Sequence, residues 1–300
     1  MKSINTYLSN DSNEAARNAI FITGSARSGT SIVGSLIHSM QAVEYAYEPP
    51  TLGALLALMD EMKPEVWRAM YETYIYEEIL LNSVSGRYIN CNSKDFSSIY
   101  KVKSLDEITS RLDKQLGRKE CKEAAQSSVV AFKLPDMIYS LGQFQLFYPD
   151  ARIVVVLRKG LEIIASILEK EWFNPEFDRL DLTNPCRIFE SYRIPHFVPK
   201  EKERYWLGLD EVNRAAYYYI LVNEGLADIM GRLEIKYSNL LENPQKEVST
   251  LAEKLGLSFG DKTKDLIAAI KDSGSIRDIG ILDKIEPSLR EGVEYYSSIS

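Results

Sequence analysis

A short apolar run that breaks into a Gly/Ser loop and then into an apolar-periodic segment leaves few architectures open. Residues 19–40, AIFITGSARSGTSIVGSLIHSM, have that form. They predict a strand buried on both faces, a tight turn and a helix, the opening unit of an α/β sheet. The spacing from Gly24 to Gly29, followed by Thr30 and Ser31, approaches the phosphate-cradling loop GxxxxGK[ST], but the lysine is missing and Arg27 lies inside the loop. Glycines permit the turn, and backbone N–H groups at the start of the helix make an anion site aided by the helix dipole. Hydroxyls and the displaced cation add donors. Gly24, Ser25, Ala26, Arg27, Ser28, Gly29, Thr30 and Ser31 are therefore the candidate anion loop.

Further continuous apolar runs, SVVAF (128–132), RIVVVL (152–157) and LEIKY (233–237), read as strands buried on both faces, and VEYAY (43–47) as an additional strand. Helical patterns cover 30–40, 51–62, 65–81, 105–125, 137–147, 160–170, 209–231, 245–255 and 262–271. This alternation implies right-handed crossovers and predicts a P-loop-like three-layer α/β fold, its central parallel sheet flanked by helices. No repeat, low-complexity tract or linker divides the 300 residues, so one domain over 1–300 is expected, with a core from 18–170 and 208–257 and a C-terminal helix and tail over 258–300. Residues 171–207 carry four prolines and several aromatics, the mark of a functional loop, and are expected to be a lid over a substrate. A plain surface excursion is the alternative. The stretch 83–104, with its Tyr, Ser and Asn content, is a second loop candidate.

Charge narrows the partners. A formal net charge of −7 supplies no basic field, so neither nucleic acid nor a polyanionic polymer fits, and small or neutral molecules fit better. The first residues carry neither a basic nor an apolar leader region, and no later run reaches membrane-spanning length, so a cytoplasmic location is expected. Cys91, Cys121 and Cys186 lack metal-binding spacing and read as structural thiols of a reducing compartment. With only His38 and His196 available, a Ser-His-Asp hydrolase or a His-rich metal site has little to stand on.

In parallel sheets ligands sit beyond the carboxyl ends of the strands, which directs attention to a few residues. Glu48, in YEPP, follows VEYAY and is placed to act as a general base toward a hydroxyl, although alone it reads equally as a helix-start or surface residue. Lys133, in AFKLPD, ends another strand and can neutralise charge on a transferring group or leaving oxygen, with Asp136 a candidate helix cap; a solvent-facing lysine is the alternative. In RKGLEIIAS, Arg158 ends a strand and Ser166 lies two helical turns later, where both can point to one anion.

With these pieces assembled, the chain resembles the sulfotransferases that use 3′-phosphoadenosine 5′-phosphosulfate (PAPS). GSARSGTS matches their 5′-phosphosulfate loop, RKGLEIIAS is similar to their 3′-phosphate motif, and YSNLLENPQKEVSTLAEKLGL (237–257) is similar to their Tyr-Glu-Asp-Leu, Asn-Pro and Leu-Gly-Leu stretch. The resemblance implies that residues 24–31 hold the 5′-phosphosulfate, that Arg158 and Ser166 hold the 3′-phosphate, and that Tyr237 joins the nucleotide site. Beyond the matched stretch, Arg277, in SGSIRDIG, is taken as a candidate further 3′-phosphate contact. YEPP looks like the Glu-Pro of carbohydrate and tyrosylprotein-type members, which makes Glu48 the base, and FKLPD carries over Lys133, with Arg27, as leaving-group stabiliser. A soluble, bacterial-type member without a metal is implied, with 18–170 and 208–257 as nucleotide-binding core. Such an enzyme moves a sulfuryl group to a hydroxyl of a small-molecule or carbohydrate acceptor and leaves 3′-phosphoadenosine 5′-phosphate (PAP). Departures exist: Arg158 is followed by Lys-Gly where Asp-Pro is common, and Ser238-Asn239 stands where Glu-Asp is usual. The rival readings are a P-loop small-molecule kinase and a catalytically silent nucleotide-binding module.

Overall fold

The computed structural model describes residues 8–175, 186–271 and 280–300. Its main sheet contains β1 Ile20–Gly24, β2 Val43–Tyr47, β3 Val129–Lys133 and β4 Arg152–Leu157; the hairpin β5 Cys186–Phe189 and β6 Tyr192–Pro195 stands apart, and β7 Leu233–Lys236 completes the main sheet. The order is β2-β3-β1-β4-β7, all parallel. Helices cover both faces, which gives the expected three-layer α/β architecture. The β1 residues are buried throughout, and the reason for their unbroken apolar character lies in the two cores they serve. Phe21 packs with Phe132 at 4.6 Å between ring centroids, in the layer that also holds Trp67, Tyr71 and Phe144. Ile20 and Ile22 face the other layer, with Val33, Ile37 and Leu251.

Register sets the site. Lys133 lies opposite Ile22 and Tyr47, and Gly24 lies opposite Val156, so the carboxyl ends of the four neighbouring strands reach one edge together. Helix starts are marked by proline at Pro50, Pro64, Pro244 and Pro287, where the missing N–H has no intrahelical acceptor to lose. Asp210 caps Glu211–Glu224 by accepting from the Asn213 N–H at 2.9 Å.

Several elements differ from expectation. A helix, Asn10–Arg17, precedes β1; it is capped by Ser9 and buries only Ser12 and Ala16, so it carries no apolar stripe to announce it. The 65–81 pattern forms Pro64–Thr73 and then widens into a π-helical stretch, Tyr74–Leu81, that still buries Ile75, Ile79 and Leu80. The 105–125 pattern divides into Leu105–Leu112 and Arg118–Ala125, separated by a polar stretch ending in Gly117. The 209–231 pattern ends as an α-helix at Glu224, with a 3₁₀ turn, Gly225–Asp228, beyond it. Within the expected lid the hairpin β5–β6 is regular structure; residues 176–185 of that segment, and Arg277, lie outside the described residues.

Candidate active site

The turn after β1 is built so tightly that its glycines are dictated. A Cβ on Gly24, whose φ is 152°, would stand 2.5 Å from the Val156 carbonyl oxygen, and one on Gly29, at φ 103°, would stand 2.5 Å from the Tyr237 ring. Arg27 also holds a left-handed φ of 68°, a conformation that persists in a non-glycine residue only when its surroundings enforce it. The enforcement is visible. The Ala26 N–H donates to Asp136 Oδ1 at 2.8 Å and to the Tyr218 hydroxyl at 2.5 Å, and the Tyr218 hydroxyl in turn donates to Asp136. Asn223 Nδ2 donates to Ser25 Oγ at 3.1 Å, and the Asp136 N–H to the Gly24 carbonyl at 2.9 Å. The helix Thr30–His38 begins directly after Gly29, so its first-turn N–H groups face the turn. Ser28 is fully buried, yet its hydroxyl has no hydrogen-bond partner among the described residues.

Asp136 is not the helix cap that its position before 137–147 suggested. Met137 occupies the N-cap of Ile138–Phe147, and Asp136, at φ 68°, turns its carboxyl inward to brace the anion loop. Burial pushes its pKa up to about 6 against the Tyr218 hydroxyl and the Ala26 N–H, which both favour the ionised form. Sequence reasoning missed Tyr218 and Asn223. Their helix is buried on nearly every face, so polar residues inside an apolar run, Asn213 and Asn223, were the available signal.

The cations gather beside the turn. Arg27 Nε donates to Ser166 Oγ at 2.9 Å, and its guanidinium lies 5.8 Å from the Trp172 ring. Arg158 donates to the Arg27 carbonyl at 2.9 Å, stands 4.5 Å over the Tyr237 ring, and pairs through Nε with Glu162 at 2.8 Å. Arg27, Arg158, Ser166 and Tyr237 are thus one contiguous group, with Glu162 an unforeseen member. Gly160 starts the helix Gly160–Leu168, and its N–H donates to Ser297 Oγ at 2.9 Å.

Glu48 and Lys133 form the other half of the site. The Lys133 ammonium is buried, pairs with the Glu48 carboxylate and lies 4.2 Å from the centre of the Tyr47 ring. The Glu48 N–H donates to the Lys133 carbonyl at 2.9 Å, and Glu48 holds a left-handed φ of 45° just before the two prolines. Its side chain is 42% exposed, in contrast to its partner. Glu48 raises and Lys133 lowers the Asp136 pKa, which ties this pair electrostatically to the loop brace.

Among the described residues no group of three His, Cys, Asp or Glu side chains gathers to hold a metal ion, and no helix is long and apolar enough to cross a membrane. The cysteines are free: Cys121 is buried, Cys186 half-buried, and Cys91 exposed rather than packed as a structural thiol.

A parallel sheet whose first strand runs through a glycine-dictated turn into a helix, with Arg27 inside that turn and Arg158 just beyond the neighbouring strand β4, defines a P-loop-like α/β protein. The family model described as the sulfotransferase family matches residues 19–261, and the chain belongs to that family, whose members are transferases. Solved structures similar to it include the sulfotransferase STF9 from Mycobacterium avium, at 12% identity and TM-score 0.47, covering 97% of this chain and 79% of that one. The sulfotransferase domain of the curacin biosynthetic pathway is similar at 11% identity and TM-score 0.45, over 93% of this chain and 96% of that one. The sulfotransferase domain of the Synechococcus PCC 7002 olefin synthase gives 14% identity and TM-score 0.43, over 94% and 93%. Comparison with curated proteins gives no match.

Proposed function

We propose that the protein transfers a sulfuryl group from PAPS to a hydroxyl of a small-molecule or carbohydrate acceptor. The observation that supports this most is the meeting, at one sheet edge, of a braced anion loop, the Arg27–Ser166–Arg158 group and the Glu48–Lys133 pair. The residues suit the donor. An orphaned, fully buried Ser28 hydroxyl and first-turn N–H groups fit a 5′-phosphosulfate, and a second cationic group beside them fits a 3′-phosphate. When bound, PAPS supplies an electrophilic sulfuryl group on a bridging oxygen and leaves as PAP.

In this reading Gly24 to Ser31 hold the 5′ end, Arg158, Ser166 and Tyr237 the 3′ end, and Arg27 spans the two because it touches both. Glu48 accepts the proton of the acceptor hydroxyl. Lys133, itself buried, fixes the Glu48 carboxylate and, with Arg27, neutralises charge on the leaving oxygen. Residues 1–300 act as one domain. Positioning and electrostatics carry the rate. Incubation with PAPS radiolabelled in its sulfuryl group and a hydroxyl-compound library tests the proposal: labelled products are expected, whereas transfer of a γ-phosphate from ATP instead would contradict it.

A further inference from the structure

A cavity of about 370 Å³ flanks the free side of the edge strand β2, walled by the segment after the π-helical stretch. That volume falls within the range of small-molecule sites, about 300–1,000 Å³. We propose that this cavity binds the acceptor and that the acceptor is a hydroxyl-rich, sugar-type molecule; as catalysis this rests on the sulfuryl-transfer reading above, as binding it does not.

Location comes first. Tyr47 lines the cavity, and the same ring lies on the Lys133 ammonium, one residue before Glu48. Neither Glu48 nor Lys133 lines the cavity, so Tyr47 is its link to that pair, and on this proposal the acceptor hydroxyl projects past the Tyr47 ring. The lining is also of mixed chemistry. Tyr47 and Tyr88 offer ring faces for the C–H face of a pyranose, while Ser83, Asn90 and Ser97 offer hydroxyl and amide groups to its oxygens. Aliphatic surface is confined to Ile89 and Ile99, too little to enclose a sterol or an alkyl chain.

The wall is held by its own bonds: Asn90 Nδ2 donates to Ser97 Oγ at 2.8 Å, and the Ile99 N–H to the Asn90 carbonyl at 2.9 Å. Glu44 is paired with Arg111 at 2.7 Å, and His38, stacked on Tyr45 at 5.0 Å, is kept neutral by burial and by the nearby Lys103 and Arg111. The exposed Arg87 guanidinium also lines the cavity and adds donors for the oxygens of a sugar.

Saturation-transfer NMR with a panel of methyl glycosides and a panel of simple phenols on the full chain provides the test, with Ser97→Trp and Asn90→Trp filling the cavity and circular dichroism reporting folding. The account expects glycosides to bind and phenols not to. It expects Ser97→Trp to weaken glycoside binding at least tenfold while calorimetric binding of PAP stays unchanged; should Ser97→Trp fail to fold, the exposed Asn90→Trp gives the same reading. The proposal is overturned if folded variants bind glycosides like the wild type, or if the wild type binds phenols and no glycoside. A wild type that binds glycosides through this cavity but not PAP would remove the sulfuryl-transfer reading and leave the cavity's ligand standing.

Discussion

The two sides of the site are built in opposite ways. On the side proposed for the donor, the turn 24–29 is buried except at Arg27 and Gly29, its backbone is fixed by Asp136, Tyr218 and Asn223, and its glycines have no room for a Cβ. On the acceptor side, Glu48 ends an edge strand, is half-exposed, and is flanked by a cavity wall made of loop. On the proposed function this asymmetry is expected: a donor with fixed anionic ends suits rigid backbone, whereas acceptor choice is set by side chains on exposed connections. Disturbing the first side is expected to remove binding and stability together. Disturbing the second is expected to spare both and alter turnover.

The largest effect expected is that of Gly24→Ala. A side chain there meets the backbone carbonyl of Val156 in a glycine-only conformation, a cost of about 3 kcal/mol or more by chemical denaturation, with PAP binding lost alongside. Next comes a pH effect centred on Asp136. Its folded pKa of about 6 lies above the ordinary 3.8, so its contribution to stability is fully present below 3.8 and is lost as pH rises through 6. That difference of about two pKa units bounds the loss at about 3 kcal/mol, and denaturation curves of Asp136→Asn should lack this slope between pH 4 and 6.

On the acceptor side, Glu48→Gln is expected to lower turnover on the order of a hundredfold or more and to leave PAP affinity nearly intact. Loss of binding instead would erase the contrast between the two sides. Tyr218→Phe removes a hydroxyl that both Asp136 and Ala26 use, so about 1–2 kcal/mol of stability and part of the PAP affinity should go with it. The smallest effect falls on Glu162. It already neutralises Arg158 through a pair whose side chains are 16% and 28% exposed, so Glu162→Gln should tighten PAP binding by only a few-fold.

The same asymmetry decides what the sequence discloses. The inner strands were legible because they serve two cores at once, which leaves an unbroken apolar run such as Ile20–Gly24 or Arg152–Leu157; the edge strands β2 and β7 keep enough apolar residues to be read despite Glu44 and Glu234. The anion loop and the strand-end cations Arg158 and Lys133 were legible because glycine and charge have few other reasons to stand there. Asp136 was read as a cap, since a sequence shows neither its left-handed φ nor the inward turn of its carboxyl. Tyr218 and Asn223 approach Ala26 and Ser25 across nearly two hundred residues of chain, a contact no local pattern encodes. The cavity beside β2 escaped for the same reason: its wall is loop, marked in sequence only by Tyr, Ser and Asn content.

The claim on which the rest depends is that one nucleotide is gripped by two anionic ends, at the turn after β1 and at Arg158 with Ser166. Titration calorimetry of the wild type and Arg158→Ala with PAP, with adenosine 5′-phosphate and with ATP-Mg²⁺ measures it directly. The account predicts that the wild type binds PAP at least tenfold more tightly than the nucleotide lacking the 3′-phosphate, a difference of about 1.4 kcal/mol or more, and that Arg158→Ala abolishes this preference. Equal affinity for the two nucleotides, a preference for ATP-Mg²⁺, or a PAP preference untouched by Arg158→Ala would contradict it.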